Sequence, residues 1–197
     1  MRALVVYESM YGNTHTVAVS IAAGLSTRHD VTLVPVTRAT PELLAAADLL
    51  AVGGPTHTHR MSTAASRRKA ADTARKQDSG LTMDPDADGP GVRGWLEGLG
   101  MPGMPGRLGR LDLLGRKPAT LAVAFDTRLG GVPLFTGRAS RGISRLLARH
   151  GYRLLADPES FLVSNQNTLG DGEADRARVW GAMIGAAASD LYVPTVA

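Results

Sequence analysis

The stretch Arg2-Ala3-Leu4-Val5-Val6-Tyr7-Glu8-Ser9-Met10-Tyr11-Gly12-Asn13-Thr14 decides the architecture. Residues 2–7 form an apolar run with two adjacent valines, the pattern of a strand covered on both faces. The run stops at Glu8-Ser9, and after Gly12 the residues Val17, Ala18, Ile21, Ala22 and Leu25 recur at helical spacing, predicting a helix over 13–28. Between them lies a short loop with a hydroxyl, a glycine and an Asn-Thr pair at the start of a helix. Such a loop can surround a phosphate with backbone N–H groups, aided by the positive end of the helix dipole. The same residues also serve as an ordinary turn and helix cap. The loop has no lysine, no Gly-Lys-Ser/Thr sequence and no G-x-G-x-x-G, so it supports neither a nucleoside triphosphatase nor a dinucleotide fingerprint.

Outward from this stretch the alternation continues. Val31–Val36 reads as a second strand, Pro41–Ala46 as a short helix, and Asp48–Val52 as a third strand running into Gly53-Gly54-Pro55. Residues 62–76 are helix-capable with Ser62 as candidate cap, and Ala119–Phe125 is a fourth apolar strand. Arg138–Arg149 is a helix with Ala139, Ile143, Leu146 and Leu147 on one stripe and Arg138, Arg141, Arg145 and Arg149 on the other. Tyr152–Ala156 and Phe161–Val163 read as two pieces of a fifth strand interrupted by Asp157-Pro158. A last helix over Glu173–Leu191 is expected to turn Trp180, Met183, Ile184, Ala187 and Leu191 inward. Five strands alternating with helices predict a doubly wound parallel α/β sheet in a single domain, residues 1–197. Residues 77–117, rich in Gly and Pro around Met101-Pro102-Gly103-Met104, are expected to be an excursion containing a short helix at Val92–Leu99, with Met101 and Met104 as candidate lid residues.

Composition narrows the chemistry. The chain of 197 residues is 44% hydrophobic and 20% charged, enough apolar material for one core and too ordered a mixture for a disordered chain. It has no cysteine, which excludes disulfides, thiolate zinc, cysteine-held iron–sulfur clusters and thiol catalysis together. Redox chemistry would therefore need a borrowed cofactor. The N-terminal apolar run is too short for a signal-peptide core or a membrane span, so no membrane association and a cytoplasmic location are expected. The net charge of +4 permits an acidic partner; without aromatic interleaving or a nucleic-acid motif, no nucleic-acid partner is expected. Asp84, Asp86 and Asp88 alternate but lack the remaining framework of a calcium loop, and His57 with His59 lacks a third ligand, so no metal is expected.

Tyr7-Glu8-Ser9-Met10-Tyr11-Gly12-Asn13-Thr14 after a first strand resembles the FMN-phosphate loop of the flavodoxin family. Gly53-Gly54-Pro55-Thr56, with the run on to Met61, resembles the family's first isoalloxazine loop and the Gly-x-Pro-Thr loop of flavodoxin-like quinone reductases. Phe125-Asp126-Thr127-Arg128 stands where the family has its second flavin-contacting loop. The resemblance spans nearly the whole chain apart from 77–117 and implies a three-layer flavodoxin-like fold, with a five-stranded parallel sheet in the order 2-1-3-4-5 and helices on both faces. It implies FMN as cofactor, with the phosphate held by Ser9, Met10, Tyr11, Gly12, Asn13 and Thr14. The ring would be flanked by Pro55, Thr56, His57, Thr58, His59, Arg60 and Met61 on one side and by Phe125, Asp126, Thr127 and Arg128 on the other. A deazaflavin fits the same phosphate reading. No tryptophan stands in the first ring loop, which leaves Trp95 and Phe135 as candidate stacking residues.

The expected function is noncovalent flavin binding for electron transfer, with a redox partner protein or a small quinone-like acceptor. Tyr11 and the basic His57, His59, Arg60 and Arg128 point also to an FMN-dependent NAD(P)H:quinone oxidoreductase, an alternative compatible with an oligomer that completes the site. A flavodoxin-fold module that has lost the flavin is the third alternative. No residue is expected to act as a dedicated catalytic nucleophile or acid–base pair.

Overall fold

The computed structural model describes residues 1–57, 59–76, 78–99, 120–131 and 137–191. Thr58, Phe135, Met101 and Met104, which the sequence brings toward the site, lie outside the described residues. The elements run β1 (Arg2–Tyr7), α1 (Asn13–Leu25), β2 (Asp30–Pro35), α2 (Pro41–Ala46), β3 (Leu49–His57), β4 (Arg60–Met61), α3 (Ala64–Ala74), α4 (Val92–Gly98), β5 (Leu121–Leu129), α5 (Ala139–Arg149), β6 (Arg153–Leu154), β7 (Glu159–Val163) and α6 (Glu173–Leu191). The main sheet is parallel in the order β2-β1-β3-β5, and β6 and β7 both pair with the far edge of β5. With β6 and β7 counted as one strand broken around Asp157-Pro158, this is the predicted order.

The apolar runs place one cluster on each face of the sheet. Val5, Leu49, Ala51, Val123 and Phe125 meet α1 and α6 through Val17, Ile21, Leu25, Ala177 and Ile184. Leu4, Val6, Leu50, Val52, Ala122 and Ala124 meet α4 and α5 through Val92, Leu96, Ile143 and Leu147. The alternating inward residues of one strand thus divide between the two layers, as the period of two requires. Val92, Leu96 and Leu99 are buried in that second cluster, so α4, although it lies within 77–117, supplies core. Trp95 packs against the same cluster, away from the site.

Three local expectations are corrected. The cap of α3 is Thr63, which with Ser66 forms a reciprocal capping box, while the Ser62 hydroxyl is committed to Glu8. Met183 and Leu191 on α6 face outward, at 63% and 44% exposure, because small residues, Ala177, Gly181, Gly185 and Ala188, make the close face of that helix. Finally, β3 and β5 extend further than their apolar runs, to His57 and Leu129, so Pro55–His57 and Asp126–Arg128 are strand residues with alternating directions. The parallel register carries on through Gly53↔Phe125, Gly54↔Asp126 and Pro55↔Thr127, which is why polar residues remain in strand here.

Candidate functional site

The carboxyl ends of β1, β3, β5 and β7 open onto a cleft of 320 Å³, within the size range of small-molecule sites. The β1 end contributes Ser9, Met10 and Tyr11, followed by Asn13 and Thr14 from the first turn of α1. Pro55, Thr56 and His57 of β3 form one wall, and Thr127, Arg128 and Leu129 of β5 another. Val163, Ser164, Asn165 and Asn167 close the far side. These last four were not assigned to the site from sequence; their signal was only position, directly beyond the final strand at the same sheet edge. Among the described residues the lining has no carboxylate.

The start of α1 is built differently from the other helix starts around it. Gly12 sits at its N-cap with φ +92° and ψ −23° and gives no side-chain cap. By contrast, Thr40 caps α2, Thr63 caps α3, and the Glu8 carboxylate accepts from Val92 N–H at the start of α4. At α5, Ala139 N–H donates to Thr56 Oγ1 (2.8 Å) and Ser140 N–H to Asp126 Oδ2 (2.7 Å). At α1 the Gly12 N–H donates to Ser9 Oγ (3.1 Å), and among the described residues the N–H groups of Asn13, Thr14 and His15 have no acceptor. Orphan amides at a helix N-terminus, with no acid in the first turn, leave positive potential at that end of α1.

The surrounding contacts hold this loop rigid. The hydroxyls of Thr14 and Thr127 lie 2.7 Å apart, tying α1 to β5, and Asn13 Nδ2 donates to Asn167 O (2.9 Å), tying it to the segment after β7. Tyr11 donates its hydroxyl to Ala70 O on α3 (3.0 Å), so that hydroxyl is an anchor. On the outer side, Asp84 N–H donates to Met10 O, and Asp84 Oδ2 lies 3.2 Å from His15 Nδ1. Asp86 accepts from Tyr7 and Arg38. The alternating aspartates therefore brace the loop, and no metal-ligating cluster occurs among the described residues.

Six of the residues brought forward from sequence stand apart from the cleft lining. Gly12 shapes the turn without lining the cleft. Phe125 is fully buried, its ring filling the space above Gly53 and packing edge-on to Trp180. Asp126 is fully buried on the opposite face, capping α5. The run from Pro55 to Met61 divides because β3 turns back on itself: His57 pairs with Arg60 and Thr56 with Met61. Met61 goes into the core against Gly142, and His59 and Arg60 face a second groove between α4 and α5.

Two polar groups in this region are shifted by burial. The His57 imidazole is pushed below its ordinary pKa chiefly by burial, with Glu8 opposing and Arg67 reinforcing the shift, which favours the neutral ring. The Asp126 carboxyl is pushed up by burial, against hydrogen bonds from Ser140, Ser160 and Thr56. Arg128 donates to Leu129 O and Gly131 O and remains the cation of the cleft.

A parallel sheet with this strand order, and an anion-type loop at its first strand end, define the flavodoxin class of α/β fold. The flavodoxin family model matches residues 5–100, and the fold of the chain is flavodoxin-like. It is similar to an archaeal flavodoxin (18% identity, TM-score 0.59, covering 96% of this chain and 99% of the other). It is likewise similar to Flavodoxin 1 of Bacillus cereus (13%, TM-score 0.58, 98% and 100%) and to a WrbA-like flavodoxin protein of Agrobacterium tumefaciens (19%, TM-score 0.54, 96% and 98%). No curated protein sequence matches the chain. No helix among the described residues is long and apolar enough to cross a membrane.

Proposed function

We propose that the cleft binds FMN noncovalently and that the protein is an electron-transfer flavoprotein. The observation that carries this reading is the start of α1, where, among the described residues, three N–H groups have no acceptor beside a cleft lined by hydroxyls and one arginine without a carboxylate. A phosphate monoester supplies the acceptors that the chain withholds there. Ser9 and Thr14 would donate to it from side chains, and Asn13, Thr14 and His15 from backbone N–H groups. Pro55, Thr56 and His57 would lie along one side of the ring and Thr127 and Arg128 along the other. Bound FMN supplies one- or two-electron redox chemistry, and the chain supplies binding, orientation and electrostatics. A deazaflavin phosphate satisfies the same phosphate end. The partner in this reading is a redox protein encountered in the cytoplasm.

Arg128 and the absence of carboxylates favour a second reading, an FMN-dependent NAD(P)H:quinone oxidoreductase. Positive charge beside the ring stabilises the anionic fully reduced flavin and suits a small quinone-like acceptor. The deciding experiment is fluorescence titration of the purified protein with FMN, followed by steady-state turnover with NADH or NADPH and a quinone. Saturable FMN uptake with negligible nicotinamide turnover supports the electron carrier, and rapid turnover supports the reductase. An absence of FMN uptake refutes both and leaves a flavodoxin-fold module without flavin.

A further inference from the structure

Beside the cleft, on the other side of the β3–β4 hairpin, lies a groove of 560 Å³ between α4 and α5. Arg60 comes from β4, Arg93 from α4, and Arg138, Arg141, Arg145 and Arg149 from α5. Against these six arginines the groove has one acid, Glu97. It thus concentrates more positive charge than the net +4 of the whole chain. Four arginines elsewhere have acidic partners: Arg38 with Asp86, Arg75 with Asp72, Arg176 with Glu159 and Glu173, and Arg178 with Asp175. Among the described residues, none of the six groove arginines forms an ion pair. Arg93 donates to the carbonyls of Met61 and Ser62, and Arg60, Arg141, Arg145 and Arg149 are exposed.

An exposed basic helix face is ordinary on its own. Three features make this one more than that. The charge is drawn from three separate elements onto one concave surface. The spacing of the α5 arginines, three and then four and four, keeps them on one face for about 16 Å of helix, long enough to meet a row of carboxylates. The groove also shares the hairpin with the cleft: His57 lines the cleft, and its register partner Arg60 lines the groove.

We infer that this groove docks an acidic electron-transfer protein, whose carboxylates seat along α5 and bring its redox centre against the β3–β4 hairpin. The redox character of the partner rests on the flavin reading of the cleft; the charge complementarity does not. Nucleic acid fits less well, because the described lining has no Phe, Tyr or Trp to stack a base and carries Glu97, while its floor, Met61 and Leu146, is aliphatic. Exposed ion pairs of this kind accelerate encounter more than they add affinity, so the signature is an association rate that falls with salt.

The test uses an acidic [2Fe–2S] ferredoxin as probe and basic cytochrome c as counter-probe, with association followed by stopped flow and contacts mapped by amide chemical shifts. The expected result is ferredoxin association that slows roughly 10-fold between about 50 and about 500 mM salt. Shift changes should be centred on residues 59–61 and 138–149. Arg141→Glu with Arg145→Glu should slow low-salt association roughly 10-fold and flatten its salt dependence, and Arg60→Glu, on a different element, should act in the same direction. FMN uptake, measured on the same samples, should be unchanged in both variants. Equal binding of cytochrome c, indifference to both charge reversals, or displacement of the ferredoxin by duplex DNA overturns the inference. Because the titration reads binding with or without flavin, a failure to take up FMN refutes the cleft reading separately.

Discussion

Gly12→Ala tests the phosphate loop with the smallest possible change. Gly12 has φ +92° and ψ −23°, close to the conformation that a type II turn reserves for glycine at its third position. A Cβ built there meets nothing within 4 Å, so the substitution adds strain without a clash. A left-handed backbone costs an L-residue about 1–2 kcal/mol. In a chain of this length each kcal/mol lowers Tm by about 2–4 °C, giving an expected loss of about 2–8 °C for the flavin-free protein. If the loop relaxes to shed the strain, the N–H groups of residues 12–15 turn away from the cleft. Losing one hydrogen bond to a charged phosphate costs about 1.5–3 kcal/mol, roughly a 10- to 150-fold rise in Kd. Parallel fluorescence titrations with FMN and riboflavin isolate this term, since riboflavin has the ring and lacks the phosphate. FMN should weaken by that factor while riboflavin changes little. If both ligands weaken together, or if Tm falls with FMN affinity intact, the loop does not hold the phosphate.

Other perturbations follow from the same geometry. Ser9→Ala should weaken FMN by roughly 10-fold and leave riboflavin unchanged; Thr14→Val should do the same, with an added stability loss of about 1–3 kcal/mol for stranding the Thr127 hydroxyl, read by urea unfolding. Asp126→Asn has a signed pH dependence. Because the folded pKa is raised, the native chain binds more protons than the unfolded chain, so the burial cost of Asp126 is present above that raised value and is relieved as pH falls through it toward the ordinary carboxylate range. The Asn variant should therefore be most favourable relative to the parent near neutrality and lose ground on acidification; a difference in unfolding free energy flat from pH 7 to about 4 refutes the assignment. Gly53→Ala would drive a Cβ to 2.1 Å from the Phe125 ring, so it should destabilise by about 1–3 kcal/mol, and Phe125→Leu should recover part of that loss in a double-mutant cycle.

The sequence made the sheet legible because its strands are continuous apolar runs covered on both sides, and the interruption at Asp157-Pro158 was readable as a break in one strand. Less legible were the strand ends. Apolar character stops near Val52 and Phe125, yet β3 and β5 go on pairing for several residues, so residues that seemed to share a loop alternate between faces. For that reason Phe125 and Asp126 are buried on opposite faces and do not line the cleft. The shorter α4 carries little periodic signal over 92–98, and only the burial of Val92, Leu96 and Leu99 shows that part of 77–117 completes the layer beside α5. Ser164, Asn165 and Asn167 gave no type-specific signal; they reach the cleft because β7 delivers the chain there, and the left-handed turn at Asn167 (φ 60°) brings its carbonyl to Asn13.

The helix starts divide the labour at the sheet edge. Glu8 and Ser9 are neighbours at the end of β1 and serve different helices. Glu8 is buried and accepts from Val92 N–H at the start of α4 and from the Ser62 hydroxyl, while Ser9 is spent on Gly12 N–H and leaves the next three amides of α1 open. Thr56 and Asp126, which the loops alone would assign to a ring, are likewise consumed in capping α5. The carboxylates of Glu8 and Asp126 are thus drawn off to helix starts, and Asp84 braces the loop from outside at His15. What remains facing the cleft is hydroxyl, amide, a neutral imidazole and the Arg128 guanidinium. A site assembled this way repels no anion, and it follows from where the acids went as much as from which residues stayed.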